Sequence, residues 1–417
     1  MFTKIKNSYK EYPNPFKVLV LATFIDRFGS FLLFPFFSVY LIDHFNVTII
    51  EVGFLFAIFA GGSIIGSTIG GALTDKYGRR SMLILGLISS GIGSILMGLV
   101  DDLFLFFLIA AVLGVLGDLG GPARQAMVVD LLQEDKRADG FGLMRVAVNL
   151  SATIGPILGG FLVEQSYLLV FILDAVSSLI TAVIVFVVIP ETKPEKLDDK
   201  PEESVIKTLI GYKEVLKDKI YILFLAVSGI TVLVYMQMNS TLSVFLWDVY
   251  AFPLGWFGVL LSMNALMVVL FQFWITKRIS KYAPMKMMAF GTLLYMIGFG
   301  MYGFISEPYL FFIAMAILTV GEMIVIPVSQ ATVARFAPED KRGRYMAVYG
   351  FHWSIPILFG VSAASLIYVN LGPNWVWYLA GILSLIAVIG FRLLHINTKD
   401  RISKEKDLLI ERKTLEN

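Results

Sequence analysis

Long apolar runs alternate with short polar interruptions along the whole chain. A hydrocarbon core about 30 Å thick needs about 20 apolar residues in helical form. Runs of that length occur at residues 16–41, 50–73, 82–100, 103–124, 142–163, 167–190, 219–246, 255–276, 287–305, 308–330, 345–369 and 375–395. The pattern predicts an all-α membrane protein with twelve transmembrane helices. A β-barrel is excluded, because its strands would read as alternating segments of about 10 residues. Composition agrees: 57% of the 417 residues are hydrophobic and only 16% are charged, with a mean hydropathy of +0.77. That leaves too little polar surface to coat a water-soluble globule of this size.

Charge adds an orientation. The loops after spans 1, 3, 5, 7, 9 and 11 contain no Lys or Arg and offer Asp43, Asp101, Asp102, Glu164, Asp248 and Glu307. Opposite loops hold Lys76, Arg79 and Arg80, Lys136 and Arg137, then Lys277, Arg278, Lys281 and Lys286, and finally Lys341, Arg342 and Arg344. By the positive-inside rule both termini are expected in the cytoplasm, with the chain a multi-pass protein of the cell membrane. Lys4, Lys6 and Lys10 precede an apolar run too long for a signal-peptide core, so it is read as the first helix. The loop holding Asn46-Val47-Thr48 is too short for glycosylation to be expected. A net charge of +2 argues against a nucleic-acid partner. The absence of Cys excludes thiolate metal sites, and His44, His352 and His395 are scattered, so no metal is expected.

The chain is duplicated. Pro122, Gln125, Ala126 and Glu134-Asp135-Lys136-Arg137 recur 205 positions later as Pro327, Gln330, Ala331 and Glu339-Asp340-Lys341-Arg342. In the same register Gly53, Gly86, Gly93 and Gly98 map to Gly258, Gly291, Gly298 and Gly303, and Asp43 to Asp248. The expected organisation is a six-helix bundle over 1–190, a cytoplasmic linker over 191–218 and a second six-helix bundle with a cytoplasmic tail over 219–417. Parallel six-span repeats are pseudo-symmetric about the membrane normal, and rocking of two such bundles gives alternating access to a site where they meet.

Two motifs stand out. Between spans 2 and 3 the chain reads Gly70-Gly71-Ala72-Leu73-Thr74-Asp75-Lys76-Tyr77-Gly78-Arg79-Arg80. Gly71 is expected to let helices approach, Gly78 to permit a tight turn, and Asp75, Arg79 and Arg80 to form a cytoplasmic charge cluster that breaks and reforms. This segment resembles the major facilitator superfamily, whose signature here is Gly-x-x-x-Asp-(Arg/Lys)-x-Gly-(Arg/Lys)-(Arg/Lys). Span 5 contains Gly155-Pro156-Ile157-Leu158-Gly159-Gly160, similar to the Gly-Pro-x-x-Gly-Gly pattern that accompanies antiport in that superfamily. The resemblance covers essentially the whole chain and is closest to twelve-helix multidrug/proton antiporters. It implies that Asp130, at the end of span 4, completes the charge cluster. Aligning Gly114 and Pro122 with the antiporter pattern places Ala110 where those proteins commonly carry a buried arginine, a departure from them. Asp26-Arg27-Phe28 is weakly similar to the Glu-Arg-Phe of proton-coupled oligopeptide symporters.

Charges inside spans are costly and tend to be paired and functional. Asp26 and Arg27 lie near the middle of span 1 and point about 100° apart, so each is expected to have its own partner. Asp118 and Glu322 are near-equivalents across the repeat. An acid in an apolar cavity can load and release protons near neutral pH, which makes both candidates for coupling. Arg145 is expected to pair with Asp118 or Asp26. Asp174 lies a few residues from the outer surface, where capping or snorkelling is the alternative to a functional role. Asn149, Tyr235, Met236, Gln237, Asn239, Met263, Asn264 and His352 are candidate cavity residues, offering adaptable apolar contacts and a few amides. The reading is a monomeric, non-enzymatic transporter that needs no cofactor, exporting lipophilic or cationic small molecules against protons. The alternatives are an uptake symporter for a peptide, sugar or other metabolite, and a non-transporting membrane enzyme or receptor. The last is disfavoured because no nucleophile, histidine and acid constellation is present.

Overall fold

The computed structural model describes residues 12–193, 215–336 and 342–415, and every regular element among them is a helix. The first span is α1 (Asn14–Leu33), a 3-10 turn over Phe34–Phe36, and α2 (Phe37–Phe45). Pro35 causes the break, since it donates no N–H and its ring crowds the preceding turn. Spans 2 and 3 are α3 (Ile49–Tyr77) and α4 (Arg79–Leu99). The fourth is split into α5 (Leu103–Gly117) and α6 (Gly120–Leu131), and the fifth and sixth are α7 (Glu134–Val163) and α8 (Tyr167–Val188). The seventh is split into α9 (Lys219–Met236) and α10 (Thr241–Tyr250). The remaining spans are α11 (Leu254–Ile279), α12 (Pro284–Met301), α13 (Pro308–Phe336), α14 (Arg342–Leu371) and α15 (Pro373–Leu415). Among the described residues eleven spans are long and apolar enough to cross a membrane unaided. The twelfth is α12, whose Pro284 and Lys286 dilute an otherwise apolar 18 residues. The protein is thus an all-α, twelve-helix membrane protein.

Short loops leave helix ends that need partners. Thr48 accepts from the Ile50 N–H at 3.3 Å while Glu51 accepts from the Thr48 N–H at 3.0 Å, a reciprocal cap on α3. Asp102 caps α5 through the Leu105 N–H at 2.7 Å, Ser166 caps α8, and Asp218 caps α9.

The chain forms two compact units. The first joins Met1–Asp198 with Asn239–Val269, and the second joins Asp199–Met238 with Leu270–Asn417. Segment 239–269, which the duplication assigns to the second half, therefore packs with the first. The reason is backbone approach at glycine: Gly160 lies against Leu254 and Gly255, and Gly258 lies against the Pro156 carbonyl. The repeat is visible inside each unit. Gly93 faces Leu113 in the first and Gly298 faces Leu318 in the second, the same offset at both positions.

Helix α3 meets α5 and α6 through Gly62, Gly66 and Gly70, which abut the backbones of Gly114, Val115 and Leu119. Such stripes let membrane helices pack at close range. Gly71 departs from its expected role: one position on, it points off this seam, and a methyl there would meet nothing within 4 Å. Gly66→Ala should therefore destabilise the protein by about 1–3 kcal/mol through overpacking against Val115, whereas Gly71→Ala should leave the thermal midpoint in detergent unchanged. Equal effects would contradict this packing.

Candidate functional site

In the first unit, α1 carries Asp26 about 18 Å from its start at 1.5 Å per residue, with only 6% of the residue exposed. Arg124 Nη2, from α6, donates to Asp26 Oδ2 at 2.8 Å, and Ser178 Oγ, from α8, donates to Oδ1 at 3.3 Å. Arg27 Nε stands 3.9 Å from the same Oδ2, so Asp26 and Arg27 share a cluster instead of taking separate partners. The expected pairing of Arg145 with Asp26 or Asp118 is not formed; Arg124 takes the place at Asp26. Arg145 instead lines a cavity of about 200 Å³ together with Arg27, Arg124 and Gln125. Ala110, at the aligned arginine position, is fully buried, and the buried arginine of this span stands at 124.

Two further acids are held by hydroxyls. Asp118 sits at the break between α5 and α6 and accepts from Ser63 Oγ. Asp174 does not cap α8, a role taken by Ser166. It is buried inside the helix with 8% exposure, accepts from Ser94 Oγ at 2.8 Å, and among the described residues leaves Oδ1 without a hydrogen-bond partner.

In the second unit, Tyr235 OH, one residue from the end of α9, donates to Glu322 Oε1 at 3.2 Å. The Tyr235 ring stacks on Tyr295 at 6.2 Å and meets Trp353 edge-on at 6.1 Å. Tyr235, Tyr295, Tyr349, His352, Trp353 and Ser329 line a small cavity of about 20 Å³. His352 stacks on Tyr349 at 3.9 Å. Gln237 belongs to the frame of this site: only 2% exposed, it donates Nε2 to the Leu233 and Gly360 carbonyls at 3.0 and 3.3 Å. Met236 is half-buried beside it. Asn239, Met263 and Asn264 belong to the first unit. Asn149 lines neither cavity; its carbonyl accepts from Thr153.

The charged loop is built around Gly78, whose φ of +99° only glycine adopts easily. The turn brings Arg79 Nε within 3.1 Å of Asp130 Oδ2, while Arg79 Nη1 donates to the Thr74 carbonyl at 3.3 Å. Glu191 completes the cluster. Its carboxylate accepts from the backbone N–H groups of Arg79 at 2.7 Å and Arg80 at 3.2 Å, at the N-terminus of α4 where the helix dipole favours an anion. Arg80 donates to the Phe186 carbonyl. The side chain of Asp75 lies outside the described residues. In α7, Gly155 and Gly159 face Phe31 and Leu32 of α1, Gly160 faces α11, and Pro156 sits inside the helix. This motif packs α7 against two neighbours at once.

The model of the Major Facilitator Superfamily matches residues 19–306 and 228–414. The chain belongs to this superfamily. Among similar proteins, the Na(+), Li(+), K(+)/H(+) antiporter of Planococcus maritimus is 25% identical over 83% of this chain and 88% of its own. The multidrug resistance protein MdtH of Yersinia enterocolitica is 21% identical over 89% and 92%. Among solved structures, a POT family transporter in complex with 5-aminolevulinic acid matches with a TM-score of 0.76 at 17% identity, over 93% of this chain and 97% of that one. The nucleoside transporter NupG matches with a TM-score of 0.79 at 13% identity, over 91% and 100%. At such identity these structures establish the fold alone. The protein is a membrane transporter of this superfamily.

Proposed function

We propose that this transporter exports lipophilic or cationic small molecules in exchange for protons, by alternating access, as a monomer in the cell membrane with both termini cytoplasmic. The proton gradient drives it and no cofactor is invoked. The observation that carries the reading is Glu322, a membrane-embedded acid bonded to Tyr235 at the edge of an aromatic enclosure. Aromatic faces attract a desolvated cation, and an acid beside them gives a proton and a cationic cargo one charge to compete for. Competition of that kind is what antiport requires. At about 20 Å³ the cavity holds about one water, so cargo enters only as the helices part. The name of the Planococcus relative agrees with antiport, that of the Yersinia relative with a multidrug cargo, and Gly155-Pro156 with Gly159-Gly160 supplies the motif associated with antiport.

Purified protein in proteoliposomes with an imposed proton gradient tests the reading. Loading a lipophilic cation should drive protons in the opposite direction, and reversing the gradient should reverse cargo flux. Cargo accumulating in the direction of proton flow would replace antiport with symport.

A further inference from the structure

The first unit holds a feature that export of a cation does not use. Its cavity of about 200 Å³ is lined by Arg27, Arg124 and Arg145, with Gln125 beside them and Val128 and Phe141 as apolar wall. Basic residues of membrane proteins normally gather in loops. These are set inside the spans: Arg27 about 20 Å from the start of α1, Arg124 about 10 Å from the end of α6, and Arg145 about 9 Å beyond Asp139, where the fifth span begins. Orientation by loop charge does not account for that depth.

Nor, among the described residues, are the three charges matched by acids. Asp26 engages Arg124 at 2.8 Å and reaches Arg27 only at 3.9 Å. Asp118 and Asp174 are bonded to Ser63 and Ser94. Among the described residues Arg145 makes no ion pair or hydrogen bond, and Arg27 keeps 45% of its side chain exposed. An embedded guanidinium with no carboxylate bonded to it is suited to bind an anion, because its planar donors match a carboxylate or phosphate two at a time.

The geometry points to an anion subsite in the first unit, in which Arg27 and Arg145 bind the carboxylate or phosphate of an amphiphilic molecule while Arg124 is held back by Asp26. Val128 and Phe141 would receive the apolar body. The same headgroup chemistry belongs to a soluble organic anion and to an anionic lipid. This subsite is independent of Glu322, which lies in the other unit.

Binding of phenyl phosphate to the purified full chain, with neutral benzyl alcohol as control, tests it. Phenyl phosphate should bind and benzyl alcohol should not. Arg145→Gln and Arg27→Gln should each weaken phenyl phosphate about tenfold, the worth of one charge-assisted hydrogen bond. Arg145→Lys should retain part of the affinity. Asp26→Asn should tighten it severalfold by releasing Arg124 into the cavity, an effect that a merely structural arginine would not produce. Because Arg145 is exposed and has no bonded partner among the described residues, its Gln variant should keep the wild-type thermal midpoint. Nanodiscs with and without phosphatidylglycerol separate the sources. Competition by that lipid assigns the subsite to a headgroup, and unchanged affinity at matched ionic strength assigns it to a soluble anion. Equal affinity for phenyl phosphate and benzyl alcohol, or an Arg145→Gln variant that binds as the wild type does, overturns the subsite. Those results would leave proton-driven cation export untouched, just as failure of antiport would leave this binding intact.

Discussion

Arg124→Gln should lower the stability of the protein by about 3–5 kcal/mol, the usual cost of removing one partner from a buried ion pair. The side chains of Asp26 and Arg124 are 9% and 14% exposed, and the 2.8 Å contact between them is the shortest approach either makes to an opposite charge among the described residues. Without Arg124, the carboxylate retains one hydroxyl donor, Ser178, and an arginine at 3.9 Å. The converse variant, Asp26→Asn, should cost less, because Arg124 can turn toward the cavity that it already lines. The double variant Asp26→Asn/Arg124→Gln should recover much of the loss, since neither uncompensated charge remains. Thermal unfolding of the two single variants and the double variant forms the cycle that isolates the pair. Simple additivity of the single effects would show that the pair is not a coupled unit.

The sequence made the spans legible because one requirement dominates them: every backbone group in the hydrocarbon must be bonded within a helix about 20 residues long. It hid the breaks at 118–119 and 237–240, because Leu119 and Met238 keep the run apolar while the helix is interrupted. The same effect concealed Arg124. With span 4 drawn as 103–124, this residue reads as an end marker; the helix continues to Leu131, so it is embedded. A basic residue two positions after Pro122, followed by the apolar run Ala126–Val129, was the available signal. Gly71 and Gly70 are indistinguishable as letters, and only the direction of each Cα decides which one meets Leu119. Glu191 fell in a stretch read as linker. An acid directly following a span, opposite a helix that begins Arg79-Arg80, is the pattern that identifies it. Glu322 was visible because a lone acid in an apolar run is conspicuous, but its aromatic surroundings come from helices distant in sequence. Tyr235, Tyr295 and Trp353 share no periodicity that places them together.

Glu322→Gln should abolish gradient-driven transport, reducing it at least tenfold, which corresponds to about 1.4 kcal/mol of lost driving interaction. The substitution keeps the shape of the side chain, and its carbonyl can still accept from Tyr235 OH, which now lies 3.2 Å from the carboxylate. What disappears is the exchangeable proton and the negative charge. Export of a lipophilic cation from proteoliposomes should therefore stop responding to the pH gradient, while cargo counterflow without a gradient continues at reduced affinity through the aromatic faces of Tyr235, Tyr295 and Trp353. Glu322→Asp separates charge from reach. It retains the acid but is shorter by one methylene, so it should preserve coupling with weaker binding. If Glu322→Gln transports against a gradient as the wild type does, the proton is carried elsewhere and Asp26, Asp118 and Asp174 become the acids to replace in turn. If counterflow is lost together with coupling, Glu322 acts through the shape of the enclosure, and Tyr235→Phe, which removes only the hydroxyl donor, should reproduce that loss.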